Sequence, residues 1–222
     1  LYTSEQAVAE MSGFTLPNRD FTFDNTTGDL SLQYVTEGKI KTAILREIER
    51  AEKNASIHIG VFYISDRQVI KALKEAEKRG VHIQLILDPN KDAFGLEKNG
   101  IPNRQIAAEL MKKENIEVRW YDTDGEQFHS KFLIVNHPEE TVFIGGSANF
   151  TRRNLHDYNL ENNFVVIGPS SHAFNVAILD YYNRIWNNID GHFTEEFEVY
   201  EDQSLWKKAL YRIQEFTGLS TF

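Results

Sequence analysis

The sequence predicts an α/β fold, a mostly parallel mixed sheet covered by helices on both faces, and three observations predict it. Apolar, β-branched runs of strand length, at 57–63 (IHIGVFY), 81–87 and 116–120, alternate with stretches whose apolar residues recur every three to four positions. That second spacing puts them on one face of a helix. Residues 57–87 therefore read strand, helix, strand, a unit that favours parallel neighbours with cover on both faces. The third observation is size: 222 residues with 41% hydrophobic content suffice for one well-buried core.

Residues 1–33 carry Gly13, Pro17 and Gly28 without a clear period and are expected to be a packed lead-in, with Phe14 and Phe21-Thr22-Phe23 adding a short edge strand. From Gly38 the pattern turns helical, with Ile40, Ala43, Ile44, Ile48 and Ala51 on one face and charged residues between them. After strand 57–63, Asp66 caps a helix whose apolar stripe is Val69, Ile70, Leu73 and Ala76, and Gly80 stops it before strand 81–87. Residues 88–103, with Pro89, Gly95, Gly100 and Pro102, read as a long loop without regular structure, of the kind that carries function. It is expected to roof a site. Ile106, Ala107, Leu110 and Met111 make the next helical face, and strand 116–120 follows.

Residues 128–135 (FHSKFLIV) read as a buried strand, 136–140 as a turn, and 141–144 as a returning strand that ends in Gly145-Gly146-Ser147; a further strand covers 159–166. Ser170 or Ser171 caps a long helix reaching Trp186, with Phe174, Ala177, Ile178, Tyr181 and Ile185 on its buried side, and a tail helix lies near 203–216. The division expected is a lead-in over 1–33, a domain over 34–189 and a C-terminal helical extension over 190–222.

The chemistry concentrates in the two strands of that hairpin. Alternate residues of a strand share a face, so His129 and Lys131 point the same way. The hairpin can bring Ser147 and Asn149 to the same end. An ammonium in so apolar a strand needs an anionic partner, and a phosphate would supply one. Glycines before Ser147 allow close backbone approach, while the Ser and Asn side chains add neutral donors for phosphoryl oxygens. The pattern points to phosphoryl chemistry without a metal or cofactor.

These residues resemble the signature of the phospholipase D superfamily: His-x-Lys, four residues, Asp, then Gly-Ser-x-Asn. His129, Lys131, Gly146, Ser147 and Asn149 fall on the pattern, while Asn136 stands where the family has Asp. The segment 159–166 (NLENNFVV) resembles the family's Asn-x-Glu strand, and the resemblance implies that Glu161 orients the catalytic histidine. It extends over most of 35–188 and implies a phospholipase D-like α-β-α sandwich. In that family two similar halves each give one motif to a shared site, and this chain contains one.

The resemblance further implies attack on a phosphodiester by one histidine to give a phosphohistidine, with a second histidine as general acid and later base. Lys131, Ser147 and Asn149 would bind the substrate phosphate and neutralise its non-bridging oxygens. Asn136 and Gly146 would be structural parts of the motif, Asn136 at a strand end. The substrate expected is a phospholipid, as in phospholipase D or cardiolipin synthase, with water or an alcohol as acceptor. The second His-x-Lys half would come from the same full-length chain or from a homodimer. The sequence starts at Leu1, which reads as part of a longer protein. Two further readings stand beside this one: a homodimeric endonuclease of the superfamily, and a non-catalytic half that serves as an interaction scaffold.

Composition narrows the field. A formal net charge of −9 opposes tight non-specific nucleic-acid binding, which comes from many Lys/Arg contacts to phosphate. Arg152 and Arg153 can still make a basic rim. The sequence contains no apolar run near the roughly 20 residues that span a bilayer, so the stretch is expected to be soluble, with its compartment open. Zero cysteines remove disulfides, thiolate metal sites and cysteine nucleophiles. His58 and His82 lie on apolar strands, His137 in a turn and His156 in a loop near the motif, and none has metal spacing. Asp88-x-Asn90-x-Asp92 hints at a calcium loop, but Ala93 and Asn99 stand where that loop needs Gly and Glu.

Overall fold

A computed structural model of the chain describes residues 10–13, 28–93, 96–97, 99–202 and 204–217. Its strands are β1 (Ser31–Thr36), β2 (Ser56–Val61), β3 (His82–Leu87), β4 (Asp92–Ala93), β5 (Leu96–Glu97), β6 (Ile116–Tyr121), β7 (Lys131–Asn136), β8 (Glu140–Gly146), β9 (Asn162–Pro169) and β10 (Thr194–Glu196). The helices are α1 (Gly38–Arg50), α2 (Arg67–Lys78), α3 (Asn103–Leu110), α4 (Arg152–Leu155), α5 (Ala173–Trp186) and α6 (Leu205–Thr217). An eight-stranded sheet in the order β1-β9-β8-β7-β2-β3-β6-β10 forms the middle layer.

Helices cover both faces, as expected. The apolar stripes of α1 (Ile40, Ala43, Ile44, Ile48) and α2 (Val69, Ile70, Leu73, Ala76) pack with α3 on one face, against Ile57, Ile59, Leu85, Leu133 and Val135. Each such large aliphatic side chain contributes roughly 1.5–3 kcal/mol when withdrawn from water. On the other face Tyr182, Ile185 and Trp186 of α5 meet Ile86, Phe132 and Ile134. Asp66 caps α2, its Oδ1 accepting from the amides of Gln68 (2.9 Å) and Val69 (3.0 Å). Gly80 leaves that helix at φ +85°, a backbone conformation that costs a side-chain-bearing residue energy.

The sheet is mostly antiparallel, which corrects the expected mostly parallel arrangement. Among the described strands of this sheet β2–β3 and β3–β6 run parallel, whereas β7, β8, β9 and β1 follow one another antiparallel beside β2, and β10 joins β6 antiparallel. The strand-helix-strand rhythm reports only the segment that crosses over through α2 and α3. After β7 the chain returns through a short turn, which forces reversal.

Smaller expectations also shift. The cap of α5 is His172, whose Nδ1 accepts from the Phe174 amide at 3.2 Å, and not Ser170 or Ser171. Its buried face is Asn175, Tyr182, Ile185 and Trp186, so Tyr181 and Ala177 turn outward; a helix apolar nearly all round gives its sequence little to fix the rotation. Residues 88–103 are not structureless: β4 and β5 pair as a small hairpin. The first strand, β1, lies along β9 with Leu32 and Tyr34 exposed, while Phe14 and Phe21-Thr22-Phe23 fall outside the described residues. Finally, the stretch read as a helical extension opens with β10, which extends the main sheet, and Tyr211 of α6 is fully buried.

Candidate active site

The site forms where β2 and β3 end and β7 begins. Strand β7 starts at Lys131, so His129 sits in the extended segment just before it and not inside the strand as expected. Two hydrogen bonds to its main chain hold that segment on either side of the histidine. The Phe128 amide donates to Asp88 Oδ2 at 2.8 Å, and the Phe62 amide donates to the Ser130 carbonyl at 2.9 Å. His129 is thus fixed by its neighbours while its ring stays exposed. The ring leans on Phe62, centroids 5.2 Å apart.

Lys131 shares that surface. Only 7% exposed, it donates from Nζ to the His129 carbonyl at 2.7 Å and lies 5.4 Å from the centre of the Phe62 ring, within range of a cation–π attraction. The imidazole and the ammonium therefore both stand against one aromatic ring, that of Phe62. Burial lowers the Lys131 pKa to about 8, although Glu161 and Asp88 pull it upward. Burial and the Lys131 charge lower that of His129, which favours the neutral imidazole that can attack or accept a proton.

Glycine at 146 is a steric requirement: a Cβ there would lie 2.2 Å from the Asn162 carbonyl oxygen. This close crossing of β8 and β9 sets Ser147 beside Glu161. The Ser147 hydroxyl donates to Glu161 Oε2 and accepts from the Asn162 amide at 3.0 Å. Asn149 Oδ1 accepts from the Tyr63 amide at 3.2 Å, one residue from Phe62. Asn149 is thus tied to the chain just after β2, while Ser147 and Glu161 are tied to each other at the crossing of β8 and β9.

Among the described residues no hydrogen bond joins Glu161 to the His129 ring. The carboxylate instead accepts from Ser147 and from Asn154 Nδ2, and it acts on Lys131 through its charge. Asn136 lies at the opposite end of β7, five residues and about 16 Å from Lys131 at ordinary strand rise. There its Oδ1 accepts from Thr141 Oγ1 at 2.7 Å, a strand-end contact away from the reacting groups. Arg152 and Arg153 reach Tyr158 Oη (3.4 Å) and Asn159 Oδ1 (3.1 Å), bracing the loop that leads to Glu161.

Several site-building residues escaped sequence reasoning. Asp88 is 2% exposed; besides pinning Phe128, its Oδ1 accepts from the Asn90 amide at 2.7 Å. Asn103 Nδ2 donates to the carbonyls of Phe62 (2.7 Å) and Asp88 (2.8 Å), and its Oδ1 accepts from the Ile64 amide at 3.0 Å. These contacts knot the ends of β2 and β3 to α3. The available signal was position, since open α/β sheets place ligands beyond the carboxyl ends of their strands. His58 is a core residue, lowered to about 4 by burial, with Nε2 2.9 Å from Ser56 Oγ. His156 packs its Nε2 2.7 Å from Asp66 Oδ2.

The chain resembles known proteins in sequence and in fold. The family described as "Cardiolipin synthase, PLD-like domain" matches residues 44–186. The chain is 29% identical over 136 residues to a mitochondrial cardiolipin hydrolase of Mus musculus, covering 61% of this chain and 54% of the relative. With the Homo sapiens protein of the same name it shares 30% over 136 residues, 61% of this chain and 47% of that one. The chain spans about half the length of these curated relatives. Among solved structures, a phospholipase D family member, Nuc, from Salmonella typhimurium superposes with a TM-score of 0.55 at 22% identity, covering 71% of this chain and 95% of that one. Phosphatidylserine synthase of Haemophilus influenzae gives 0.63 at 12% identity, covering 90% and 50%. At these identities the structures speak for the fold.

Proposed function

The chain belongs to the phospholipase D-like family, and from that membership we propose that it carries one half of a phosphodiester-cleaving or phosphatidyl-transferring site centred on His129. The observation that carries this reading is the exposed imidazole beside a buried ammonium on one aromatic floor, 2.7 Å from Lys131 Nζ to the His129 carbonyl. A second His-x-Lys half completes the site, from the same full-length protein or from a second copy.

One histidine attacks phosphorus; an N–P bond forms as the bond from phosphorus to the leaving oxygen breaks. The other histidine protonates that oxygen. Water or an acceptor alcohol, deprotonated by the same group, then attacks phosphorus and releases the imidazole. Lys131 meets a non-bridging oxygen with its ammonium, and the Ser147 and Asn149 side chains add polar contacts around the phosphate. Glu161 serves Lys131 and Ser147. The substrate proposed is a phospholipid: the matched relatives are named for cardiolipin, and a net charge of −9 repels a polyanion.

The test uses the full-length protein with vesicles containing cardiolipin or phosphatidylglycerol, with headgroup and phosphatidic acid release followed by mass spectrometry. His129→Ala is expected to lower turnover by roughly 10²–10⁴, the range of a lost acid–base or nucleophilic group. An acid-labile phosphate should appear on a motif histidine after rapid quenching. Turnover unchanged by His129→Ala would leave the scaffold reading, and cleavage of single-stranded DNA in place of lipid would leave the nuclease.

A further inference from the structure

Just after the motif the chain makes one short helical turn, α4, and the residues in it do more than connect strands. Asn154 is 5% exposed and Thr151 is fully buried. Thr151 Oγ1 donates to Asn154 Oδ1 at 2.7 Å, and Asn154 Nδ2 donates to Glu161 Oε1. The hydroxyl occupies the amide oxygen, so the amide has one orientation, with its NH2 toward the carboxylate. The other carboxylate oxygen accepts from Ser147.

The turn itself is anchored at its far end. His156 Nε2 lies 2.7 Å from Asp66 Oδ2, and Lys41 on α1 stands beside both. Asp66 is the 1%-exposed cap of α2. Leu155, between Asn154 and His156, is 1% exposed. A buried hydroxyl, a buried amide and an anchored turn therefore form a rigid base beneath a partly exposed glutamate.

We infer that Asn154 is a positioning residue: set by Thr151, it holds the Glu161 carboxylate against Ser147, and so fixes where that negative charge stands relative to Lys131. The inference rests on the function proposed for Lys131 and Ser147, and it adds two residues outside the family signature. Groups that orient site residues in this way commonly change activity 10–100-fold when removed. Without Asn154, Glu161 loses one of its two side-chain donors and can turn toward solvent.

The experiment reads Lys131 directly, by NMR titration of its Nζ in the full-length protein. Lys131 faces Glu161, Asp88 and His129, and in the wild type it should titrate near about 8. Asn154→Ala is expected to lower that midpoint by roughly half a pH unit, because an opposite charge drawn away no longer favours the ammonium. Glu161→Gln should lower it at least as far, and the double variant no further than Glu161→Gln alone. Thr151→Val, a milder change, should move it in the same direction and serves where Asn154→Ala fails to fold. A midpoint unmoved by Asn154→Ala or Thr151→Val, or effects of Asn154→Ala and Glu161→Gln that simply add, overturns the inference. A merely structural asparagine would give that result. Lipid turnover on the same samples decides the other matter: a wild type without His129-dependent turnover refutes the proposed function, while the Lys131 titration still rules on Asn154.

Discussion

Asp88→Asn is the most demanding perturbation of this site, because it removes one charge and almost no volume. The wild-type carboxylate is buried and accepts from the Phe128 amide (2.8 Å) on one oxygen and from the Asn90 amide (2.7 Å) and Asn90 Nδ2 (3.2 Å) on the other. An asparagine has one acceptor oxygen, so whichever way the amide turns, an NH2 meets an N–H donor. One buried donor left unpaired costs about 1–3 kcal/mol. For a chain of this size each 1 kcal/mol is worth about 2–4 °C, so the melting temperature should fall by roughly 2–12 °C.

The electrostatic consequence is separate. Asp88 supports the charged form of Lys131, and without it the Lys131 pKa should fall below about 8. The useful species is the ammonium, present below the pKa and lost as pH rises through it. The alkaline limb of kcat/KM should therefore lie near pH 8 in the wild type and at lower pH in Asp88→Asn. With His129 as the attacking imidazole, activity should rise with pH through a value below the ordinary 6.5, an acid limb this substitution leaves largely in place. Calorimetry and a pH–rate profile on one preparation check both. A variant that melts with the wild type, or whose alkaline limb stays near pH 8, would refute the reasoning.

Three other outcomes follow from the same structure. Gly146→Ala drives a Cβ to 2.2 Å from the Asn162 carbonyl oxygen and should cost roughly 1–3 kcal/mol as well as turnover, read by denaturant melts and the lipid assay. Asn136→Asp preserves the acceptor for Thr141 Oγ1 and lies away from the reacting groups, so turnover should stay within about twofold; a manyfold gain would place residue 136 in the chemistry. His58 falls from 6.5 unfolded to about 4 folded, so the unfolded state binds its proton first. Its stability contribution is complete above pH 6.5 and lost as pH drops toward 4. That loss is about 3 kcal/mol at most, and the slope of melting temperature between pH 7 and 4.5 should be shallower in His58→Gln.

What could be read from the sequence was what a single element encodes. The stripe Ile40, Ala43, Ile44, Ile48 and the Asp66 cap needed no tertiary information, and each lies where its spacing puts it. His129 and Lys131 were legible because an ammonium in an apolar run demands an explanation. Strand partners were not: β1 carries outward-facing Leu32 and Tyr34, and its ladder with β9 joins residues more than 120 positions apart. Phe62, Asp88 and Asn154 stayed hidden for the same reason. Each acquires its role from a neighbour brought close by sheet order, and nothing in Phe62's own surroundings announces His129.

Asn90 and Asn103 stand on either side of the small β4–β5 hairpin, and both are almost wholly buried, clasping backbone atoms of the strand ends beneath. The excursion between them is moored at both feet. A change confined to the hairpin itself, short of the buried Ile101, should therefore leave both clasps and the ground under Phe62 as they are.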